Sequence, residues 1–234
     1  AEVLKEAQDK GYAERNPEAD VEGHDACRKI AILTSLISGQ HVDFEKIHTE
    51  GITKITTEDM KYAKKLNMAI KLLASSKRVG DTFSVLVAPM LLSEEHPLCN
   101  VNDVFNAVFV RGNMLGDAMF YGSGAGKLPT ASAVVADVVD AAKHLHRNVV
   151  TRWDAGELEL IPNAEAEHRF FVRVQGRSEA QKEQIREAFG SVEIVETEGL
   201  EDEFGFITEV MTEGTYSKKA EAFPEIIHMI RLAD

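Results

Sequence analysis

Two side chains near the start of the chain have the types and spacing needed for acid–base chemistry. Asp25 precedes Lys29 by four residues, so the two lie on one face if this segment is a helix. One interpretation is a surface ion pair, which contributes roughly 0.3–0.5 kcal/mol to stability. The other is a lysine that gives or takes a proton while a carboxylate holds it in place. The spacing alone leaves both interpretations open.

Apolar residues around this pair predict the helix that positions it. The helix is expected to begin at about Gly23 and to end at Gly39, because glycine favours the conformation that terminates helices. Cys27 lies in the same helix and is interpreted as a small packing residue. The predicted buried stripe consists of Ala26, Ile30, Leu33 and Ile37.

Two longer runs carry a resemblance to a known family. Residues 11–29 read GYAERNPEADVEGHDACRK, and residues 121–137 read YGSGAGKLPTASAVVAD. In this order they resemble the two signatures of homoserine dehydrogenase. The tail from about His168 resembles the small ACT regulatory module that many members append. That family begins with a nucleotide-binding domain and the first part of a catalytic domain, which this sequence lacks, so we expect a C-terminal fragment.

The resemblance implies an oxidoreductase. The parent enzyme would interconvert L-homoserine and L-aspartate 4-semialdehyde with NAD(P), in the aspartate-derived pathway to threonine, methionine and isoleucine. Lys29 is then expected to serve the proton transfer, with Asp25 holding it or the substrate hydroxyl. Carboxylates are also suited to hold the substrate's ammonium group. The residues expected to bind the amino-acid end are Tyr12, Glu14 and Asp20.

The glycine-rich run implies the cofactor side of the same site. By resemblance this loop faces the nicotinamide, and the helix after it, at about residues 130–146, packs toward the nucleotide domain. Without that domain, we expect the fragment to bind no dinucleotide tightly and to be inactive by itself. No metal is expected, since the family's alkali-metal site lies upstream. The predicted cofactor-binding residues are Gly122, Gly124, Ala125 and Gly126.

The element pattern predicts an α+β fold in two parts. Residues 1–147 are expected to form a partial catalytic domain, a sheet covered by helices, which includes the loop and helix of residues 121–147. Residues 148–167 are expected to be a linker. Residues 168–234 read β-α-β-β-α-β, the ferredoxin-like order of an ACT domain. Such modules often sense an amino acid, although here Gln175-Gly176-Arg177-Ser178 replaces their usual Asp-x-x-Gly turn.

Composition excludes several other classes of partner. The 26 basic and 39 acidic residues give a net charge of −13, which disfavours binding to nucleic acid or an anionic membrane. The two cysteines are far apart and have no metal-ligand spacing, and a composition that does not call for a disulfide indicates a cytoplasmic protein. We expect a homodimer or a higher homo-oligomer. An alternative hypothesis is a non-catalytic regulatory or oligomerisation protein built from the same domains.

Overall fold

The structure is a computed structural model that describes residues 5, 8, 16–150 and 153–233. It divides the chain into two compact units. We call residues 18–94 with 154–234 the sheet unit, and residues 1–17 with 95–153 the hairpin unit. The described helices are α1 (Glu18–Val21), α2 (His24–Ser38), α3 (Thr57–Lys65), α4 (Lys127–Lys143), α5 (Glu179–Phe189) and α6 (Glu213–Ala220).

The strands are named here in chain order. The first six are β1 (Gln40–His41), β2 (His48–Thr49), β3 (Met68–Val79), β4 (Thr82–Ser93), β5 (Phe105–Gly112) and β6 (Gly116–Ser123). The other six are β7 (Asp154–Glu157), β8 (Glu167–Gln175), β9 (Val192–Val195), β10 (Glu203–Thr208), β11 (Met211–Thr212) and β12 (Ile226–Leu232). Short 3-10 turns occur at Phe44–Lys46, Pro97–Asn100 and Asn163–Glu165.

An eight-stranded sheet forms the centre of the sheet unit. Its main path is β2-β4-β12-β8-β10-β9, with β3 paired to β4 and β11 paired to β8. Strand β4 pairs with β3 along one edge, antiparallel over its whole length. Two parallel strands, β2 and β12, pair with β4 at successive positions, at Leu86–Val87 and at Met90–Leu91. Strands β2 and β12 therefore follow one another along the same edge of β4.

This pairing corrects the predicted domain boundary. Because β12 pairs with β4, one continuous sheet crosses both predicted domains. The predicted linker is also structured: it contains β7, and Leu158 is buried against the core around α2. The local sequence pattern indicates where strands occur, but it does not indicate which distant strand each one pairs with. The predicted separation at residues 148–167 is wrong for this reason.

The C-terminal elements follow the predicted β-α-β-β-α-β order. Strands β12, β8, β10 and β9 lie side by side and antiparallel, with α5 between β8 and β9 and α6 before β12. Phe170, Val172 and Val174 share one buried cluster, as the period of two in β8 predicts. Ser178 caps α5 through a capping box with Gln181, and Gly190 ends the helix.

Helix α2 packs on the sheet with a face that overlaps the predicted stripe in part: Ala26 and Ile30 are half-buried against the core, as predicted. It begins after Gly23 and ends at Gly39, as predicted, and both glycines have a left-handed backbone conformation. The buried positions, however, are Cys27, Ala31, Thr34 and Ser35, whereas Ile37 is 68% exposed. Two of these residues are polar, and their burial is tolerated because their hydroxyl groups form hydrogen bonds. The Thr34 hydroxyl bonds to the Ser76 hydroxyl at 2.8 Å, and the Ser35 hydroxyl accepts from the Val42 amide at 3.0 Å. An apolar pattern cannot reveal such positions.

Helix α3 begins at a capping box in the sheet unit. Thr56, and not the adjacent Thr57, is the N-cap residue and forms the capping box with Asp59. The Thr56 amide donates to Asp59 Oδ2 at 2.8 Å. Both threonine side chains can cap a helix, but only Thr56 has an acidic residue, Asp59, three positions later.

The hairpin unit contains β5, β6 and α4. The two strands pair antiparallel in a separate two-stranded sheet, from Phe105↔Ser123 to Gly112↔Gly116. They were predicted to continue a single catalytic sheet, and that expectation is wrong. The turn between them comprises residues 113–115, and Gly116, which follows it, has a left-handed backbone conformation. Helix α4 is exposed along nearly its whole length, including Val134, Val135 and Val138.

Candidate functional site

The acidic motif in residues 18–25 forms a tight turn between α1 and α2. The Gly23 amide donates to the Asp20 carbonyl at 3.2 Å, and the Glu22 amide to the Glu18 carbonyl at 2.9 Å. Gly23 has φ of +77°, which a residue with a Cβ rarely adopts. This turn sets the direction in which α2 leaves, and with it the placement of Asp25.

A second segment holds this turn from the side. The Ile52 amide donates to the Val21 carbonyl at 2.7 Å. Gly51 lies against the backbone of Val21 and Glu22, so closely that an added Cβ would be 2.6 Å from Glu22 Oε2. Gly51 is therefore required by close approach. A motif match to residues 11–29 does not reveal this contact.

Asp25 and Lys29 form the predicted pair at the start of α2. Lys29 Nζ lies 2.6 Å from Asp25 Oδ2, and the side chains are 70% and 47% exposed, respectively. Such an exposed pair adds little stability, because water screens both charges. The same exposure leaves the ammonium group accessible to a substrate. The structure thus confirms the pairing and does not distinguish the two interpretations of it.

The helix face that carries this pair continues as an apolar surface. Ile32 and Leu36, one and two turns beyond Lys29, are each about half exposed. Asp20 is also exposed, in the short helix α1. Tyr12 and Glu14, the other predicted substrate-binding residues, lie outside the described part of the chain.

The glycine-rich loop in the hairpin unit links β6 to α4. The Gly124 amide donates to the Val104 carbonyl at 3.3 Å, and a Cβ on Gly124 would lie 2.9 Å from Asn106 Cγ. Gly126 precedes α4 with φ of +114°, and no side chain among the described residues caps this helix. The amides of Lys127 and Leu128, which begin α4, can therefore donate to an anionic or polar group, whereas Pro129 has no N–H to donate. The loop suits one end of a dinucleotide.

Two buried charge clusters in the sheet unit were not predicted. Arg173 bonds Asp59 at 2.8 Å and Glu203 at 2.7 Å, and Asp59 also meets His228 at 3.1 Å. Burial by itself raises the pKa of Asp59, but the bonds from His228 and Arg173 outweigh it and hold the pKa well below its usual range. A buried charge needs such partners.

The second cluster surrounds Arg231. Its partners are Glu213 on α6 and Glu50, which follows β2 and also meets His48 at 2.5 Å. Burial raises the pKa of Glu50, yet the bonds from His48 and Arg231 dominate and lower it to about 2. Glu50 and Arg231 are 181 residues apart, so no local signal could have paired them.

Two general features of the described residues bear on other functions. Among residues 16–150 and 153–233, no three His, Cys, Asp or Glu side chains are grouped so that they could hold a metal ion. In the same part of the chain, no helix has the length and apolar character needed to cross a membrane.

Comparison with known proteins identifies the family. The homoserine dehydrogenase family model matches residues 1–139, and the chain therefore belongs to that family. It is 48% identical over 148 residues to homoserine dehydrogenase of Bacillus subtilis, covering 63% of this chain and 34% of that protein. Against the Mycobacterium tuberculosis enzyme, the identity is 35% over 246 residues, covering 97% of this chain and 56% of the relative.

Solved structures show the same fold. The chain matches a homoserine dehydrogenase from Thiobacillus denitrificans with a TM-score of 0.86 and 33% identity, covering 100% of this chain and 58% of the other. For the Staphylococcus aureus enzyme at pH 6.5 the TM-score is 0.79 at 28% identity, with coverages of 100% and 58%. The chain thus spans roughly a third to just over half the length of these relatives.

Proposed function

We propose that this chain is the substrate-binding and regulatory part of an enzyme that interconverts L-homoserine and L-aspartate 4-semialdehyde with NAD(P). The observation that carries the proposal is the accessible Asp25–Lys29 pair, set at 2.6 Å on α2 by a turn whose sequence matches the family. NAD(P), when bound, supplies or accepts the hydride. The residues of this chain supply binding and proton transfer.

The aldehyde oxygen determines what the site must provide. Hydride addition leaves negative charge on that oxygen, which needs a proton or a positive charge nearby. Lys29 is suited to both, since an ammonium group is a donor that can lose a proton. Asp25 lies on the same face of α2 as Lys29 and holds its ammonium group in position. In the reverse direction the lysine takes the hydroxyl proton of homoserine.

Asp20 is assigned to the other end of the substrate. An exposed carboxylate in α1 is free of the sheet packing and suits a charge-assisted bond to the substrate ammonium. Tyr12 and Glu14 are assigned to the same end by their family match alone. Gly122, Gly124, Ala125 and Gly126 are assigned to the nicotinamide end of the cofactor by their place in the glycine-rich run that resembles the family signature, while the Gly124 amide already donates to the Val104 carbonyl.

We assign the C-terminal elements to an ACT-like regulatory role. Their support is the β-α-β-β-α-β order with strands β12, β8, β10 and β9 adjacent. An amino acid is the effector class such a module would take, and a homodimer is the assembly we propose. These assignments are separate from the catalytic one, and the catalytic assignment does not rest on them.

A chimera tests the catalytic assignment. This chain would replace the segment it matches in the Thiobacillus denitrificans enzyme, and NADP reduction would be followed by absorbance with homoserine. We expect homoserine-dependent turnover from the chimera and none from the 234-residue chain by itself. A folded chimera without turnover would contradict the proposal, as would steady turnover by the chain alone. Serine, which lacks one methylene of homoserine, serves as the substrate control.

A further inference from the structure

Arg231 connects the last strand, β12, to the segment after β2. That segment holds the turn between α1 and α2 in residues 18–25, which we call the substrate turn. The Arg231 side chain is 2% exposed, and its Nη1 and Nη2 donate to the two Glu50 oxygens at 3.0 and 2.9 Å. Nη2 also donates to Glu213 Oε2 at 3.0 Å, and Nε donates to the other Glu213 oxygen. This fork engages each of two carboxylates through two nitrogens, a bidentate geometry that a lysine cannot reproduce.

The sheet topology explains why Glu50 and Arg231 meet. Strands β2 and β12 both pair parallel with β4, at Leu86–Val87 and at Met90–Leu91. The Glu50 amide continues the β2 ladder by donating to the Val87 carbonyl at 2.8 Å. Glu50 therefore leaves the edge of β4 at Val87, three residues before Met90, with which Arg231 pairs.

The two residues after Glu50 make the contacts with the substrate turn. Gly51 lies against the Val21–Glu22 backbone, and the Ile52 amide holds the Val21 carbonyl at 2.7 Å. From Glu50 to the turn there is thus one short, continuous segment of chain. Any shift of Glu50 moves Gly51 and Ile52 with it.

Packing alone does not fix this segment. A cavity of about 150 Å³ borders it, and its lining includes Glu22, Glu50 and Gly51 together with His228 and Met229 of β12. On the side of this cavity the segment lacks van der Waals contacts, although Gly51 packs closely on the Val21–Glu22 backbone. The ionic bonds of Glu50 carry more of the positioning for that reason.

We propose that Arg231 is a positioning residue for the substrate-binding turn, acting through Glu50 and the Gly51–Ile52 contact. The inference rests on the proposed function only in calling this turn substrate-binding. It gives the C-terminal elements a role in the site itself: the last strand sets the turn that carries Asp20 and begins α2. Arg231 itself touches no substrate.

The sheet unit offers a matched control for this inference. Arg173 is also buried, at 4% exposure, and also bonds two carboxylates. Its partners include Thr56 and Asp59, which begin α3, and not the substrate turn. A purely structural contribution predicts similar consequences for the two arginines. A positioning role predicts different ones.

Amide hydrogen exchange on the 234-residue chain distinguishes these cases. In Arg231→Lys we expect exchange at Ile52 to be roughly tenfold or more faster than in the wild type, with Met60, at the start of α3, little changed. In Arg173→Lys we expect the reverse. Glu50→Gln provides a second variant if Arg231→Lys fails to fold, with the same expected effect at Ile52. Equal acceleration at Ile52 in both arginine variants, or none in Arg231→Lys, would overturn the inference.

Kinetics of the chimera connect the exchange result to the substrate. We expect Arg231→Lys to raise KM for homoserine about tenfold with a smaller change in kcat, and Arg173→Lys to leave that KM near the wild-type value. Equal effects of the two variants on KM would contradict the inference. An inactive wild-type chimera would contradict the proposed function instead, and the exchange experiment on the chain would still decide the role of Arg231.

Discussion

The Asp25–Lys29 pair and the Arg231 cluster differ mainly in their access to water. Lys29 Nζ is 2.6 Å from its carboxylate and the pair is exposed, whereas Arg231 is enclosed with Glu213 and joined to Glu50. An exposed pair contributes little to stability but can meet a substrate. A buried cluster cannot meet a substrate, yet removing one member leaves an unpaired charge inside the protein. The distance between the charges therefore does not distinguish a catalytic pair from a structural one. The difference in burial does distinguish the Asp25–Lys29 pair from the Arg231 cluster.

The types of cation match this division. A lysine ammonium can change its protonation state, which general acid–base catalysis requires. An arginine guanidinium remains charged and holds carboxylates in a fixed geometry. The lysine lies where the chemistry is proposed to occur, and the arginine lies where the geometry is set.

The largest expected loss of stability comes from opening the buried cluster. Arg231→Met leaves Glu50 and Glu213 without their shared cation and should lower the free energy of unfolding by about 3–5 kcal/mol. Urea denaturation of the chain measures this. Arg186→Met is the control, because Arg186 pairs with Glu183 on the surface of α5 and its loss should cost less than about 1 kcal/mol. Similar losses for the two variants would remove the distinction drawn here.

Asp20 should affect substrate binding rather than the chemical step. We expect Asp20→Ala to raise KM for homoserine in the chimera by roughly 10–100-fold, the effect of losing a hydrogen bond to a charged group, with kcat changed less. Glu18→Ala removes another carboxylate from the same short helix and should leave KM near the wild-type value. A KM for Asp20→Ala that matches the control would exclude this residue from the substrate contacts.

The features that could be predicted from the sequence are those that depend on residues close together in the chain. The bounds of α2 and the Asp25–Lys29 pair follow from glycine caps and helical spacing, and the structure confirms both. The pairing of β4 with β12 could not be predicted, because it joins Met90 to Arg231 across most of the chain. The buried Arg231 cluster and the domain division depend on that same long-range pairing.

Acid should weaken the buried cluster in a defined range of pH. The pKa of Glu50 in the folded chain is about 2, below its ordinary value of 4.5. The bonds to ionised Glu50 therefore contribute fully to stability above about pH 4.5, and this contribution is lost as the pH falls toward 2. The wild type should lose stability in this range more steeply than Glu50→Gln, as measured by urea denaturation at a series of pH values. Parallel pH profiles for the two proteins would contradict the assignment.

The smallest expected effect is on the stability of the exposed pair. Lys29→Ala should change the free energy of unfolding by no more than about 0.5 kcal/mol, because the pair is screened by water. The same urea titration measures this, with Arg28→Ala, the adjacent cation on α2, as the control. A loss above about 2 kcal/mol would show that Lys29 serves the fold rather than the reaction.

The most direct test of the proposed mechanism is the turnover number of Lys29 variants in the chimera. Lys29→Ala should lower kcat by about 10²–10⁴-fold, the usual loss for a general acid or base. Lys29→Arg should lower it comparably, because a guanidinium retains the charge but does not transfer the proton. Arg28→Ala should remain near the wild-type value. If Lys29→Arg or Lys29→Ala turns over homoserine at close to the wild-type rate, Lys29 does not carry the proton and the central claim is wrong.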